Sequence, residues 1–168
     1  MTEATKILVR AFVGSRADYC NSWNQWSAAS QTQTKQNAAA RLITSTKKRM
    51  MLVLLDWLPV RQRREFKTAL FVYKFVHGLA PPYLAEFCQA SSDQPDPSPL
   101  RSADLYQLHV PRTKKNLGNQ SFSVNGAVVW HSLPVDLRTP VMSLDTFKLQ
   151  LKTLLTLKTL KTIRSPIY

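Results

Sequence analysis

The stretch VRQRREFKTALFVYKFVH, residues 60–77, carries the clearest local signal in this 168-residue chain. Pro59 stands directly before it, where proline fits the start of a helix. Gly78 stands directly after it and prolines follow at 81 and 82, which is typical of a helix end. The start and stop signals agree, so the sequence predicts one helix over residues 60–77.

The predicted helix has one largely apolar face and a strongly basic remainder. Four large side chains lie at i, i+4, i+7 and i+11, where they would face the core: Phe66, Leu70, Tyr73 and His77. The remaining faces carry five cations, which are Arg61, Arg63, Arg64, Lys67 and Lys74. The pattern indicates a basic amphipathic helix.

The apolar pattern upstream is weaker. Residues 4–13 predict one short helix, because apolar side chains recur at helical spacing. These side chains are Ile7, Leu8, Ala11 and Phe12. Residues 21–36 are rich in Ser, Gln, Thr and Asn without a clean period, so we expect a loop or a frayed helix there. Asn37 would then be the N-cap of a helix that starts at the following alanines.

The middle of the chain predicts irregular or extended structure. Residues 89–104 include three prolines at alternate positions, which exclude a helix or a central strand and indicate a linker. Beyond it, Tyr106, Leu108 and Val110 alternate with polar residues, which predicts a short strand ended by Pro111. Residues 89–104 would therefore separate an N-terminal helical part, residues 1–88, from a small C-terminal part, residues 105–168.

The C-terminal part contains one ambiguous segment and one clear helix. Residues 121–133 include the pair Asn125-Gly126, a hairpin signal, yet their apolar residues also fit one helical face. Residues 145–160 predict a final basic amphipathic helix with Ser143 as a candidate N-cap. Its predicted apolar stripe consists of Phe147, Leu151, Leu154 and Leu155.

Positive charge is both abundant and clustered. Lys and Arg number 23 against 10 Asp and Glu, giving a net charge of +13. Residues 35–67 carry a net +7, residues 101–116 a net +3 and residues 148–168 a net +5. A single run of cations often only solvates a helix surface. Three clusters with few interleaved acids favour binding to a polyanion such as nucleic acid.

Several chemistries lack the residues that they need. The four glycines have neither GxGxxG nor Walker spacing, and the acids offer no adjacent pair to hold two metal ions. Cys20 and Cys88 form no CxxC motif, which excludes a zinc finger. We therefore expect no catalytic residue, no metal, no cofactor and no small-molecule substrate.

The sequence also predicts an intracellular protein that does not span a membrane. The longest uninterrupted apolar run, residues 50–55, is six residues, whereas a spanning helix needs about 20. No secretory signal pattern is visible at the N-terminus, and two widely separated cysteines suit a reducing compartment.

Seven blocks taken in order resemble the C-terminal region of reverse transcriptases from non-LTR, LINE-like retrotransposons. The blocks cover nearly the whole chain, and their order and approximate spacing match that family. They are VRAFVGSRADYCNS (9–22), QNAAARLIT (36–44), DWLPVRQRREFK (56–67), VYKFVHGLAPPYL (72–84), VPRT (110–113), FSV with WHSLP (122–134) and SLDTFKLQLKTLL (143–155).

The resemblance implies a role beside a polymerase and not in its chemistry. In that family this region corresponds to the thumb and the segment beyond the polymerase, which grips the RNA template and nascent DNA. The family's catalytic Tyr-x-Asp-Asp motif does not occur in these 168 residues. The implied fold is a mainly α-helical, thumb-like domain with at most one short strand or hairpin near residues 105–113. The family pattern also favours a helix over residues 121–133.

We therefore expect a non-catalytic fragment that binds RNA or an RNA/DNA duplex through backbone phosphates. The candidate nucleic-acid-binding residues are Arg61, Arg63, Arg64, Lys67, Lys74, Arg112, Lys114 and Lys115. Two alternatives are a remnant interaction or structural fragment without a ligand, and a peripheral binder of anionic membranes through the helix at residues 143–164. The membrane is the less expected partner, and an independent polymerase is the least expected activity.

Overall fold

The computed structural model describes residues 4, 7–9, 11, 12, 15, 26–44, 57–81, 107–114, 118, 121–139 and 141–164. Four α-helices lie in these ranges: α1 (Trp26–Thr44), α2 (Val60–Val76), α3 (Phe122–His131) and α4 (Leu144–Arg164). A short 3₁₀ helix, Val135–Arg138, follows α3. The predicted mainly α-helical fold is confirmed, and the described residues include no strand.

The chain folds as two compact units that do not follow its linear order. The first unit contains residues 1–64 and 154–168, and the second contains residues 65–153. Helices α2 and α4 each contribute residues to both units. These boundaries differ from the division at residues 88 and 105 that the sequence suggested, and the suggested linker lies outside the described residues.

The first unit has a small core centred on α1. Ala39, Ala40 and Ile43 are buried together with Trp57, and Val9 packs against this cluster. The two alanines are at most 8% exposed, so other residues approach this side of α1 closely. Among the described residues of the first unit, this cluster therefore combines two alanines with one isoleucine and one tryptophan.

Helix α1 starts well before the position that the sequence suggested. It is continuous from Trp26, so the loop alternative for residues 21–36 is wrong over 26–36, where the chain is helical, and the predicted N-cap at Asn37 is wrong. Residues 21–25 lie outside the described residues. Gln33 donates from Nε2 to Oδ1 of Asn37 at 3.0 Å and to Oε1 of Gln36 at 3.2 Å. The helix was missed because its polar residues bond to one another instead of showing an apolar period.

The same glutamines join α1 to the start of α2. Gln36 is buried and donates from Nε2 to the carbonyl of Leu58 at 3.0 Å. The backbone N–H of Val60, the first residue of α2, donates to Oε1 of Gln33 at 2.8 Å. This N–H would otherwise lack a partner, since the first four amides of a helix have none within it. The side-chain amide of Gln33, which belongs to α1, thus accepts the kind of hydrogen bond that an N-cap side chain usually accepts.

Helix α2 ends as predicted. Gly78 has a φ of +67°, a left-handed conformation that glycine adopts without steric cost. Its N–H donates to the carbonyl of Phe75 at 3.0 Å, and the N–H of Leu79 donates to that of Lys74 at 2.7 Å. These two hydrogen bonds form a Schellman motif, which satisfies the last carbonyls of the helix.

The buried face of α2 is rotated from the predicted one. Ala69, Val72 and Tyr73 are buried, whereas three of the four residues expected to face the core are half-buried, namely Phe66, Leu70 and His77. At 100° per residue the two faces differ by about 75°. Ala69 is fully buried, so a neighbouring part of the chain approaches this side of α2 closely.

Helix α3 lies close to the buried face of α2, and its Gly126 sits over Val72. A Cβ added to this glycine would lie 3.2 Å from Cγ2 of Val72, tighter than ordinary contact. Gly126 is therefore a close-packing position in a helix and not the turn of a hairpin. The helix that the family pattern favoured over residues 121–133 is confirmed for Phe122–His131.

Aromatic rings form the centre of the second unit. The rings of Tyr73 and Phe147 stack with centroids 4.3 Å apart and an interplanar angle of 21°. Trp130 of α3 lies 6.2 Å from Phe147, and all three residues are at most 2% exposed. The Tyr73 hydroxyl donates to the carbonyl of Met142, so its polar atom is satisfied.

Helix α4 shows the predicted cap and most of the predicted stripe. The N–H of Thr146 donates to Oγ of Ser143 at 3.3 Å, which confirms Ser143 as the N-cap. Phe147, Leu151 and Leu155 are buried, whereas Leu154 is half-buried. The buried residues recur every four positions, so the buried stripe rotates by about 40° around the helix at each step. No helix in the described ranges is long and apolar enough to cross a membrane.

The predicted strand at residues 106–110 is reduced to one residue. Leu108 is buried and makes an isolated β-bridge, while Tyr106 lies outside the described residues. The N–H of Leu108 donates to Nε2 of His131 at 3.2 Å. Since this N–H bonds to a side chain, it is not available for a strand ladder, and the alternating pattern does not extend into a sheet.

Candidate nucleic-acid interface

The two units divide the positive charge very unequally. The first unit contains 14 Lys and Arg against three Asp and Glu, a net +11, and the second contains nine against seven, a net +2. The fold produces this imbalance because residues 154–168 join residues 1–64 and bring part of the C-terminal cluster with them. One unit therefore carries almost all of the excess charge.

The cations of α2 lie mostly away from its buried face. Arg63, Lys67 and Lys74 fall within an arc of about 40° at 100° per residue, and Arg64 borders it. This arc is on the side opposite Val72. These four cations are half-buried. Their long side chains can cover apolar surface with the alkyl part while the charged end reaches water.

Arg61 differs from the other cations of the helix. It is exposed, but its position on the helical wheel lies outside the arc defined by Arg63, Lys67 and Lys74. Arg61, Arg63 and Arg64 belong to the first unit, whereas Lys67 and Lys74 belong to the second. The eight predicted site residues therefore do not form a single set within one unit.

The basic turn after Pro111 presents two of its three predicted cations. Arg112 and Lys114 are exposed, and Lys115 lies outside the described residues. The turn is closed by Gly118, since a Cβ there would lie 2.8 Å from Cβ of Thr113. A side chain at residue 118 would force these atoms apart, so glycine is required for this close approach.

The base of the turn is anchored to α3 through a neutral histidine. Nε2 of His131 accepts the N–H of Leu108, which requires that this nitrogen carry no proton. Burial lowers the pKa of His131, and the positive charge of Arg138 lowers it further. Both effects favour the neutral form that accepts the bond. The position of the basic turn is thus tied to the charge state of one histidine.

A second histidine packs against the aromatic centre. The His77 ring lies over Tyr73 with centroids 4.1 Å apart and an interplanar angle of 32°. Burial lowers the pKa of His77 and raises the pKa of Tyr73, which favours the neutral form of both rings. Tyr73 is buried, so its ring is not accessible to a ligand.

Several exposed residues near the cationic regions were not singled out as site residues by sequence reasoning. Four are cations of the first unit: Lys35 and Arg41 on α1, and Lys158 and Lys161 on α4. The fifth is Phe71 on α2, which is 49% exposed. An aromatic residue in an amphipathic helix is usually assigned to the core, so only its position on the wheel relative to Ala69 and Val72 could have indicated exposure.

The described residues offer no cluster of metal-binding side chains. They contain no group of three or more His, Cys, Asp or Glu that could hold a metal ion. Trp57, an aromatic residue close to Arg61 in the sequence, is buried. Comparison with family models, curated proteins and solved structures finds no match, so the resemblance to retrotransposon reverse transcriptases is carried by the sequence blocks alone.

Proposed function

We propose that this chain binds RNA or an RNA/DNA duplex through backbone phosphates, without sequence preference and without catalysing a reaction. The observation that carries the proposal is the net +11 of the first unit. A field of this strength raises the local concentration of a polyanion and accelerates its association. The resemblance to the C-terminal region of LINE-like reverse transcriptases names the nucleic acids that such a surface would hold.

The contacts would come from side chains that reach the phosphates at several points. In the first unit these are the arginines of α2, together with the exposed cations of α1 and the end of α4. In the second unit Arg112 and Lys114 would supply further contacts from the basic turn. Phosphate contacts position a duplex but do not read bases, so affinity should be similar for unrelated sequences.

Binding through phosphates requires a specific dependence of affinity on salt concentration. Each neutralised phosphate releases condensed counterions, so log K falls linearly with log salt at a slope of about −0.9 per contact on a duplex. We expect a steep slope for a hybrid duplex of about 20 base pairs, measured by fluorescence anisotropy across a salt series. A flat dependence of log K on log salt would refute phosphate-mediated binding.

Charge-reversal variants test which cations contribute. Arg63→Glu with Arg64→Glu should weaken binding to all duplex sequences alike and reduce the salt slope by about 2. The matched control is Lys148→Gln, because Nζ of Lys148 already pairs with Oδ1 of Asp145 at 3.0 Å. We expect little change from this control. The double variant changes the net charge by −4 and the control by −1, so an equal loss of affinity per unit of charge would mean that only total charge matters.

One observation favours a second candidate function, attachment to an anionic membrane surface. At the end of α4, Leu157 and Leu160 are 53% and 39% exposed, and Lys158 and Lys161 beside them are exposed. Exposed leucines next to lysines suit the interface of an anionic bilayer. Flotation with phosphatidylserine liposomes should then depend on the leucines, and Leu157→Ser with Leu160→Ser should abolish it while leaving duplex binding intact.

A further inference from the structure

An exposed aromatic ring lies among the cations of α2. Phe71 is 49% exposed although it belongs to the helix that supplies the core residues Val72 and Tyr73. It points away from that core because its position on the helical wheel is about 160° from Tyr73 and about 100° from Val72. This large apolar side chain is therefore presented outward.

Its neighbours along the helix surface are polar or charged on three of four sides. Lys67 precedes it by four residues and Lys74 follows it by three, so each lies about 5–6 Å away between Cβ atoms. Thr68 occupies the i−3 position, and the half-buried Phe75 occupies i+4. The ring is thus flanked by two cations along the direction of the helix axis.

The ring is also held in a defined orientation. Phe71 contacts Phe122, the first residue of α3, in an edge arrangement with centroids 6.4 Å apart and an interplanar angle of 88°. Such T-shaped contacts are favourable for aromatic pairs and restrict the rotation of both rings. A contact that favours one orientation of the Phe71 ring lowers the entropic cost of stacking on it.

These features suit a nucleobase better than a protein helix. A partner helix would need apolar residues on this face at i, i+3 or i+4 and i+7. Phe75 supplies the i+4 position, but Gly78 stands at i+7 and lysines stand at i−4 and i+3. A base needs a π-face with positive charge on either side for its phosphates. A paired base inside a duplex cannot offer its face, so the base must be unpaired.

We propose that Phe71 is a stacking platform for an unpaired nucleobase, with Lys67 and Lys74 contacting the phosphates on either side of it. This inference rests on the proposed function and sharpens it, because it names single-stranded nucleic acid as a ligand of the second unit. The preferred natural ligand then has a single-stranded portion beside any duplex held elsewhere.

The test compares two ligands at one salt concentration. The probes are a fluorescent 20-nucleotide oligothymidylate and a blunt hybrid duplex of the same length, measured with the full chain. Phe71→Leu should weaken binding of the single strand by roughly 5- to 150-fold and change duplex binding less than about 2-fold. Phe71→Tyr and Phe71→Trp retain a ring and should keep single-strand affinity within about 3-fold of wild type or above it.

Two controls separate stacking from folding and from charge. Leu149→Ala removes an exposed apolar side chain elsewhere in the second unit and should affect neither ligand. Lys74→Gln should weaken both ligands, because it removes charge and not a ring. Thermal unfolding of each variant checks that the contact of Phe71 with Phe122 is not required for folding. If Phe71→Leu does not fold, Phe71→Met, which also removes the ring but keeps a large apolar side chain, takes its place in the same comparison of the two ligands.

The outcomes distinguish this inference from the function on which it rests. If Phe71→Leu leaves both affinities unchanged, or lowers both equally, the stacking platform is refuted while duplex binding stands. If wild-type protein binds the duplex but not the single strand, the inference alone is again wrong. If wild type binds neither probe at low salt, nucleic-acid binding itself is refuted and this inference falls with it.

Discussion

The two units are both helical, yet different interactions hold their helices in place. In the second unit, large rings from α2, α3 and α4 meet, with Tyr73, Trp130 and Phe147 almost fully buried. In the first unit, α1 contributes alanines, and Gln33 and Gln36 bind the backbone at the start of α2. Apolar packing requires apolar residues at a regular spacing in the sequence, whereas hydrogen bonding by amide side chains requires no such spacing. The first arrangement can therefore be predicted from spacing, and the second cannot.

The largest expected effect is on the aromatic centre of the second unit. Phe147→Ala removes a ring that contacts both Tyr73 and Trp130, and we expect a loss of about 3–5 kcal/mol in the free energy of unfolding. Urea unfolding followed by tryptophan fluorescence measures it. Leu149→Ala on the same helix is the matched control, since Leu149 is exposed. A loss below 1 kcal/mol would show that these rings do not form the main core.

The polar junction of the first unit should be weaker but measurable. Gln36→Leu keeps the volume of a buried side chain and removes its bond to the Leu58 carbonyl, which costs about 1–3 kcal/mol when the carbonyl stays buried. Amide hydrogen exchange of α1 should accelerate together with the loss of stability. The exposed Gln31→Leu is the control. A neutral Gln36→Leu would mean that the alanine contacts alone position α1.

Replacing Gly126, where α3 approaches α2 closely, has two opposing effects on stability. Gly126→Ala gains up to about 1 kcal/mol in helix propensity. The added methyl crowds Cγ2 of buried Val72, and overpacking costs about 1–3 kcal/mol. We expect a net destabilisation of about 1 kcal/mol in urea unfolding. The double variant with Val72→Ala should show a smaller effect of the added methyl, and an equal effect would place the strain elsewhere.

The smallest effect is a dependence of stability on pH. Burial lowers the pKa of His131 and of His77 in the folded chain below the ordinary value of about 6.5 that applies to the unfolded chain. The unfolded chain therefore binds more protons as the pH falls below about 6.5, and stability decreases in that range. Urea midpoints between pH 8 and pH 5 should show this decline, and His131→Gln should make it shallower. A midpoint that rises on acidification would contradict the assignment.

Sequence reasoning succeeded where the signal is local. Helix α2 was predicted from Pro59 and Gly78, and the start of α4 from Ser143, because caps act within one turn. The predicted buried face of α2 is wrong because it follows the large side chains of the helix, whereas the observed buried face includes the small residue Ala69. Helix α1 was misread because the partners of its glutamines, at residues 58 and 60, are far away in the sequence.

The candidate site was likewise predictable from the sequence only in part. The cations of α2 and of the turn at 112–114 could be identified by composition, and most of those on α2 do lie opposite its buried face. Their grouping could not be foreseen, because it depends on which half of α4 joins which unit. Phe71 was missed because periodicity alone does not tell an outward aromatic residue from a buried one.

Because α4 contributes residues to both units, the two units become complete at different times during synthesis. Leu155 and Thr159 are buried in the part of this helix that belongs to the first unit, together with residues 1–64. A nascent chain therefore holds residues 1–64 without residues 154–168, their partner in this unit, until those later residues have left the ribosome. The second unit, complete at residue 153, can assemble earlier. Folding of the first unit must wait for contacts of very high sequence separation, which slows it and exposes its apolar residues to chaperones in the meantime.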